Sequence, residues 1–168
     1  SSNFLSKIIL HKPNYLFNYG HLGYQTYFVS PGETKLMNDL YFDSSRLGEI
    51  QEDLQNAEPL IRNADILSVD VSSLRNSELS SNGNSGPNGF YGEEMCQLMR
   101  YAGMSDKLSS IGFYEFNPNL GASKMSAKLI AQMIWCLVDG FSNRKKDYPI
   151  GTKEKYTRYR VHVEGTEH

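Results

Sequence analysis

At 168 residues and 19.1 kDa the chain is long enough for one domain with a real hydrophobic core and too short for two comfortable ones. Apolar residues make up 39% and charged residues 21%, with a formal net charge of −2, so disorder and an extended nucleic-acid footprint are both excluded by composition. No apolar run approaches the roughly 20 residues of a membrane span, residues 129–138 being interrupted by Gln132, and residues 1–10 lack a basic region followed by a cleavage site. Small-molecule chemistry or protein partners are what remains, with neither nucleic acid nor membrane.

In chain order, residues 6–10 read as the end of a helix, because His11-Lys12-Pro13-Asn14 is a stop signal. Residues 24–29 are rich in β-branched and aromatic side chains and end at Ser30-Pro31-Gly32, which reads as a strand and a turn. Leu47, Ile50, Leu54, Ala57, Leu60 and Ile61 recur at three- and four-residue spacing, predicting an amphipathic helix that carries Pro59 late. A short buried strand over 65–71 follows. Residues 72–88, dense in Ser, Asn and Gly, read as a loop without an apolar face.

Met95, Leu98, Met99 and Ala102 put an apolar stripe on a helix over 91–101, with Glu93 and Glu94 in its first turn, where the helix dipole favours negative charge; Gly103 reads as its end. A strand over 108–116 closes at Pro118, and 123–141 reads as the longest helix, apolar around much of its circumference. Alternating helices and strands with short connections predict an α/β fold with parallel strands. We divide the chain into one α/β domain over 1–150 and a tail over 151–168, whose Lys155, Tyr156, Arg158, Tyr159 and Arg160 read as a solvated tail or an edge strand. Cys96 and Cys136 lie in predicted helices without a C-x-x-C spacing, which points to two buried reduced thiols and a cytoplasmic setting.

Ligands of open parallel sheets bind beyond the carboxyl ends of the strands, so the loops after residues 67–70 and 114–118 are the first places to look. Asp70 ends an apolar strand, where a charge is costly unless it is paired, hydrogen-bonded or metal-bound; capping the adjacent loop amides and binding a ligand are both open. Glu93 is read as a dipole complement, and Glu94 shares that reading. His21 falls near the amino end of its strand, the wrong end for a site, and His11, His162 and His168 stand in no metal-ligand spacing.

Ser68-Val69-Asp70-Val71-Ser72, the polar loop and Asn88-Gly89-Phe90-Tyr91-Gly92-Glu93-Glu94 resemble the second half of the arginase/formiminoglutamase (ureohydrolase) family, in which a strand ends in Ser-Phe-Asp-x-Asp and a helix opens with Gly-Gly-Leu-x-x-x-Glu. Leu22-Gly23-Tyr24-Gln25 and Tyr114-Glu115-Phe116-Asn117-Pro118 are similar to two further strand endings of that family, and the whole resemblance runs over residues 20–145, with the formiminoglutamase-like branch nearest.

The resemblance implies a partial version of a three-layer αβα sandwich with a parallel sheet, and a manganese-dependent, formimidoylglutamase-like hydrolase of C–N bonds in linear amidines. It implies Asp70 as a metal ligand and Glu94 as the carboxylate that faces the amidine substrate. Two Mn²⁺ ions would lower the pKa of a bridging water and orient it. Ser72 stands where the family has a second aspartate, and the family's Gly-Gly-Asp-His and Asp-x-His-x-Asp motifs are absent. One Mn²⁺ or none is therefore as open as two. The expectation is a C-terminal portion, inactive by itself, that needs a missing N-terminal half or a second copy as partner. The alternative is a pseudoenzyme of the same fold serving binding or assembly.

Overall fold

The computed structural model describes residues 4–9, 11–13, 15–146 and 157. The tail over 151–168 other than Thr157, His162 and His168 included, lies outside the described residues. Helix α1 (Phe4–Ile9) ends just before His11-Lys12-Pro13, as the stop signal predicts.

The first strand, β1 (Gly20–Tyr24), lies earlier than expected, and residues 26–28 form a single 3₁₀ turn instead of its continuation. Two local features explain the shift. Gly23 takes a positive φ of 80° beneath the Phe90 ring, which leaves no room for a Cβ, and the pairing register shifts there, between Leu22 and Tyr24. Ser30-Pro31 then opens helix α2 (Pro31–Asp39): Glu33 N donates to Ser30 Oγ at 3.3 Å and Ser30 N donates to Glu33 Oε2 at 2.9 Å, with proline in the first turn. A turn signal in sequence is here a helix start.

Strand β2 (Asp43–Arg46) pairs in parallel with β1, Gly20 opposite Asp43. Its sequence, Asp-Ser-Ser-Arg, carries no β-branched or aromatic residue, and periodicity could not reveal it. The expected helix over 47–61 is three pieces: α3 (Leu47–Glu52), a 3₁₀ turn (Leu54–Ala57) and α4 (Glu58–Arg62). Asp53 breaks it. Its backbone is extended (φ −149°, ψ 103°) and its carboxylate caps Gln55 N at 3.0 Å, while Pro59 sits harmlessly in the first turn of α4. Ile50, Ala57 and Ile61 are nonetheless buried, as the stripe requires.

Strands β3 (Ile66–Asp70) and β4 (Ser110–Tyr114) pair in parallel, with Asp70 opposite Tyr114 at their carboxyl ends. Between them, residues 72–88 are irregular as expected but not superficial: Leu74 and Leu79 are fully buried. Two polar side chains of this loop tie it to the segment after β4. Ser81 Oγ donates to the Leu120 carbonyl at 2.8 Å and Asn82 Nδ2 to that of Glu115 at 2.7 Å.

Helix α5 (Gly92–Met104) and helix α6 (Ser123–Ser142) run in the same direction along one another, as contacts Gly92 to Leu129, Arg100 to Asp139 and Gly103 to Gly140 show. Gly103 therefore does not terminate α5. It lets the two backbones meet: a Cβ there would strike the Leu137 carbonyl, and one on Gly140 would strike that of Arg100. One apolar cluster, including Ile50, Val69, Leu74, Phe90, Met95, Met99 and Met133, joins α3, β3, the polar loop, α5 and α6.

Candidate functional site

The segment after β3 and the start of α5 are tied together by backbone, and the end of β1 joins them through a side chain. Phe90 N donates to the Ser73 carbonyl at 2.9 Å and Arg75 N to the Phe90 carbonyl at 3.2 Å, a bridge that holds residues 73–75 against 89–91. Gly89 is the point of closest approach. A Cβ on it would lie 2.5 Å from the Ser73 carbonyl oxygen and 2.6 Å from Arg75 N, so only glycine fits. From β1, Gln25 Nε2 reaches the Asn88 carbonyl at 3.2 Å.

Asp70 is exposed at the end of β3, and its Oδ1 accepts the Ser72 backbone N–H at 2.8 Å, capping the 3₁₀ turn Val71–Ser73. That is the capping role open from the sequence. Its Oδ2 has no hydrogen bond among the described residues.

Glu94 is half-buried in the first turn of α5. Its Oε2 accepts two hydrogen bonds, from Tyr91 N at 2.9 Å and from Gln51 Nε2 at 3.0 Å. Glu78 takes another free donor of this helix start, Gly92 N, at 3.2 Å. Gln51 Nε2 also reaches the Gly89 carbonyl at 3.4 Å, and Arg75 Nε donates to that same carbonyl at 3.1 Å. The Arg75 guanidinium lies 3.5 Å over the Tyr91 ring. An amide and a guanidinium thus converge on the Gly89 carbonyl, and the amide also bonds the Glu94 carboxylate.

Gln51 and Arg75 were not singled out from the sequence. Gln51 counted as one polar position on an amphipathic helix. Arg75 carried a usable signal, as the only cation in residues 72–88 directly beyond a parallel strand.

His21 lies in the amino-terminal half of β1, between Tyr19 and Tyr24 at ring separations of 6.2 and 5.8 Å. Burial lowers its pKa, partly offset by Glu33. Both cysteines are free and half-buried rather than fully buried, on the facing helices α5 and α6. Burial pushes the Cys96 thiol up to about 11, and the adjacent Cys136 thiol adds to the shift.

Among the described residues no three His, Cys, Asp or Glu side chains converge as a metal site. Asp70 offers one carboxylate with one oxygen already hydrogen-bonded, and Ser72 offers a neutral hydroxyl, a poor donor for a hard divalent ion. These residues alone do not fit a manganese pair.

A family model described as the Arginase family matches residues 10–139. Among solved structures, a formiminoglutamase from Trypanosoma cruzi is similar at 20% identity and TM-score 0.67, covering 73% of this chain and 44% of its own. A structure of the T. cruzi enzyme with Mn²⁺ is similar at 21% identity and TM-score 0.62, covering 68% and 40%. The formimidoylglutamase from Bacillus subtilis is similar at 19% identity and TM-score 0.66, covering 74% of this chain and 41% of its own. No curated protein matches in sequence. This chain thus spans less than half the length of those structures, and shares their fold over the part it spans. With most of its length matching one family, the chain belongs to the arginase family.

Proposed function

We propose that the intact protein is a formimidoylglutamase-like hydrolase of C–N bonds in linear amidines, and that this chain supplies its substrate-anchoring carboxylate, Glu94. The observation that carries this reading is the state of that side chain. One oxygen is locked by Tyr91 N and Gln51 Nε2, and Oε1 has no hydrogen bond among the described residues. A carboxylate fixed in this way is prepared to accept charge-assisted hydrogen bonds from an amidinium. In the overall reaction water adds at the amidine carbon, the C–N bond to the rest of the molecule breaks, and the amine leaves with a proton.

Asp70 is assigned as a metal ligand, with Oδ2 as the donor. Manganese at this site requires ligands beyond the described residues, and they would come with the part of the family fold that this chain does not span. Its partner is therefore the completing half of the fold or a second copy. The two free thiols fit a cytoplasmic setting.

Ser72 favours one other reading, a pseudoenzyme that keeps the amidine-binding carboxylate without the metals. The test is amidine hydrolysis with Mn²⁺, measured on the chain and on any longer form of the protein containing it. Turnover lost about 100-fold or more in Glu94→Gln and in Asp70→Asn supports the hydrolase. Amidine binding that needs Glu94 but gives no turnover supports the pseudoenzyme. Absence of amidine binding in every form overturns both.

A further inference from the structure

Helix α3 reaches the candidate site through Gln51. Leu47 and Ile50 are buried in the core, and Glu49 Oε2 accepts Arg46 N at 2.8 Å at the helix start. The backbone beside Ile50 is thereby fixed, and Gln51, next in the chain and half-buried, is delivered against the start of α5. Its Nε2 carries two N–H groups, and two acceptors face it: Glu94 Oε2 at 3.0 Å and the Gly89 carbonyl at 3.4 Å. A carbonyl and a carboxylate can only accept, so the nitrogen end of the amide is the end that faces them.

Capping the helix does not need this contact. Tyr91 N already donates to Glu94 Oε2 at 2.9 Å, which closes the first turn of α5. The last torsion of a glutamate side chain is soft, and a single hydrogen bond leaves the carboxylate free to turn about it. Two hydrogen bonds, one from the backbone of α5 and one from α3, fix its plane. The second donor is also neutral. A lysine or arginine in its place would hold the carboxylate as firmly but would pair with its charge, leaving less of it for a cationic ligand.

We propose that Gln51 is a positioning residue: it fixes the plane of the Glu94 carboxylate without neutralising it, and so gives the site a preference for planar cations over ammonium groups of the same charge. This rests on the reading of Glu94 as the amidinium anchor. An amidinium presents its N–H donors in one plane and bonds fully only where the plane of the acceptor is set. An ammonium is a point charge whose three donors rotate to follow a carboxylate that moves.

The test is titration calorimetry on the full chain with N-butylformamidine and with n-butylamine, both cationic near neutral pH. The unaltered chain is expected to bind the formamidine about ten-fold or more tighter than the amine. Gln51→Met, similar in length but without the donors, is expected to weaken formamidine binding about ten-fold and to leave amine binding nearly unchanged. A general loosening of the fold would weaken both alike, so the ratio of the two affinities separates positioning from a merely structural role. Gln51→Asn keeps the amide but is one methylene too short to reach Glu94; it is expected to match Gln51→Met, and it decides if the latter loses its folded far-UV spectrum. A ratio unchanged in the variants, or equal binding of the two cations by the unaltered chain, overturns the assignment of Gln51 and leaves Glu94 standing where Glu94→Gln weakens both compounds. If Glu94→Gln weakens neither, or if neither compound binds, the reading of Glu94 fails and this inference fails with it.

Discussion

Cys96 carries a pKa consequence that can be measured directly. Its thiol ionises at about 11 in the folded chain against 9.0 for a free side chain, because burial and the neighbouring Cys136 disfavour the thiolate. The unfolded chain therefore loses this proton first. Stability associated with the thiol is fully present below 9.0 and is lost as pH rises toward 11. Urea midpoints should fall across that window, and Cys96→Ala should fall less steeply; parallel slopes would show that the thiol does not contribute. At this same scale Asp70 and Glu94 stand out in the sequence because each sits inside a motif with order and spacing. Gln51 and Arg75 do not, because what joins them is a shared partner, the Gly89 carbonyl, that no local pattern encodes.

Among the elements, those with a strong apolar period were legible: α5, α6, β3 and β4 lie where the hydrophobic spacing puts them. The failures have local causes. β2 is polar throughout, α2 was hidden behind a Ser-Pro-Gly that looks like a turn, and Asp53 interrupts a helical period by capping its own downstream amide. Glycine commonly ends a helix, which is how Gly103 reads in the sequence, whereas its use here is the contact with Gly140. Gly103→Ala should therefore destabilise the chain by about 1–3 kcal/mol or more, since the obstructing atoms are backbone and cannot rotate away. A chemical denaturation midpoint equal to that of the unaltered chain would refute the close crossing of α5 and α6.

At the scale of the whole molecule, α6 carries an apolar face that is exposed among the described residues apart from the Arg144 guanidinium, 4.3 Å over the Phe141 ring. Ala127, Ala131, Ile134, Val138 and Phe141 follow a four-three spacing along it, and Trp135 beside them is 68% exposed. The chain spans less than half of the solved structures it resembles, and the proposed completing half of the fold would cover this face. The chain by itself should bind a hydrophobic dye, and Trp135→Lys with Val138→Lys should reduce the signal; an unchanged signal would place the exposed apolar surface elsewhere.

The proposed amidine-hydrolase site, with Asp70 as one ligand, can be probed by calorimetric titration with Mn²⁺. Weak or no binding is expected of this chain alone, with tight binding in a longer form of the protein that supplies further ligands and loss of that binding in Asp70→Ala. Tight binding that Asp70→Ala leaves intact, or no binding in any form, would contradict it.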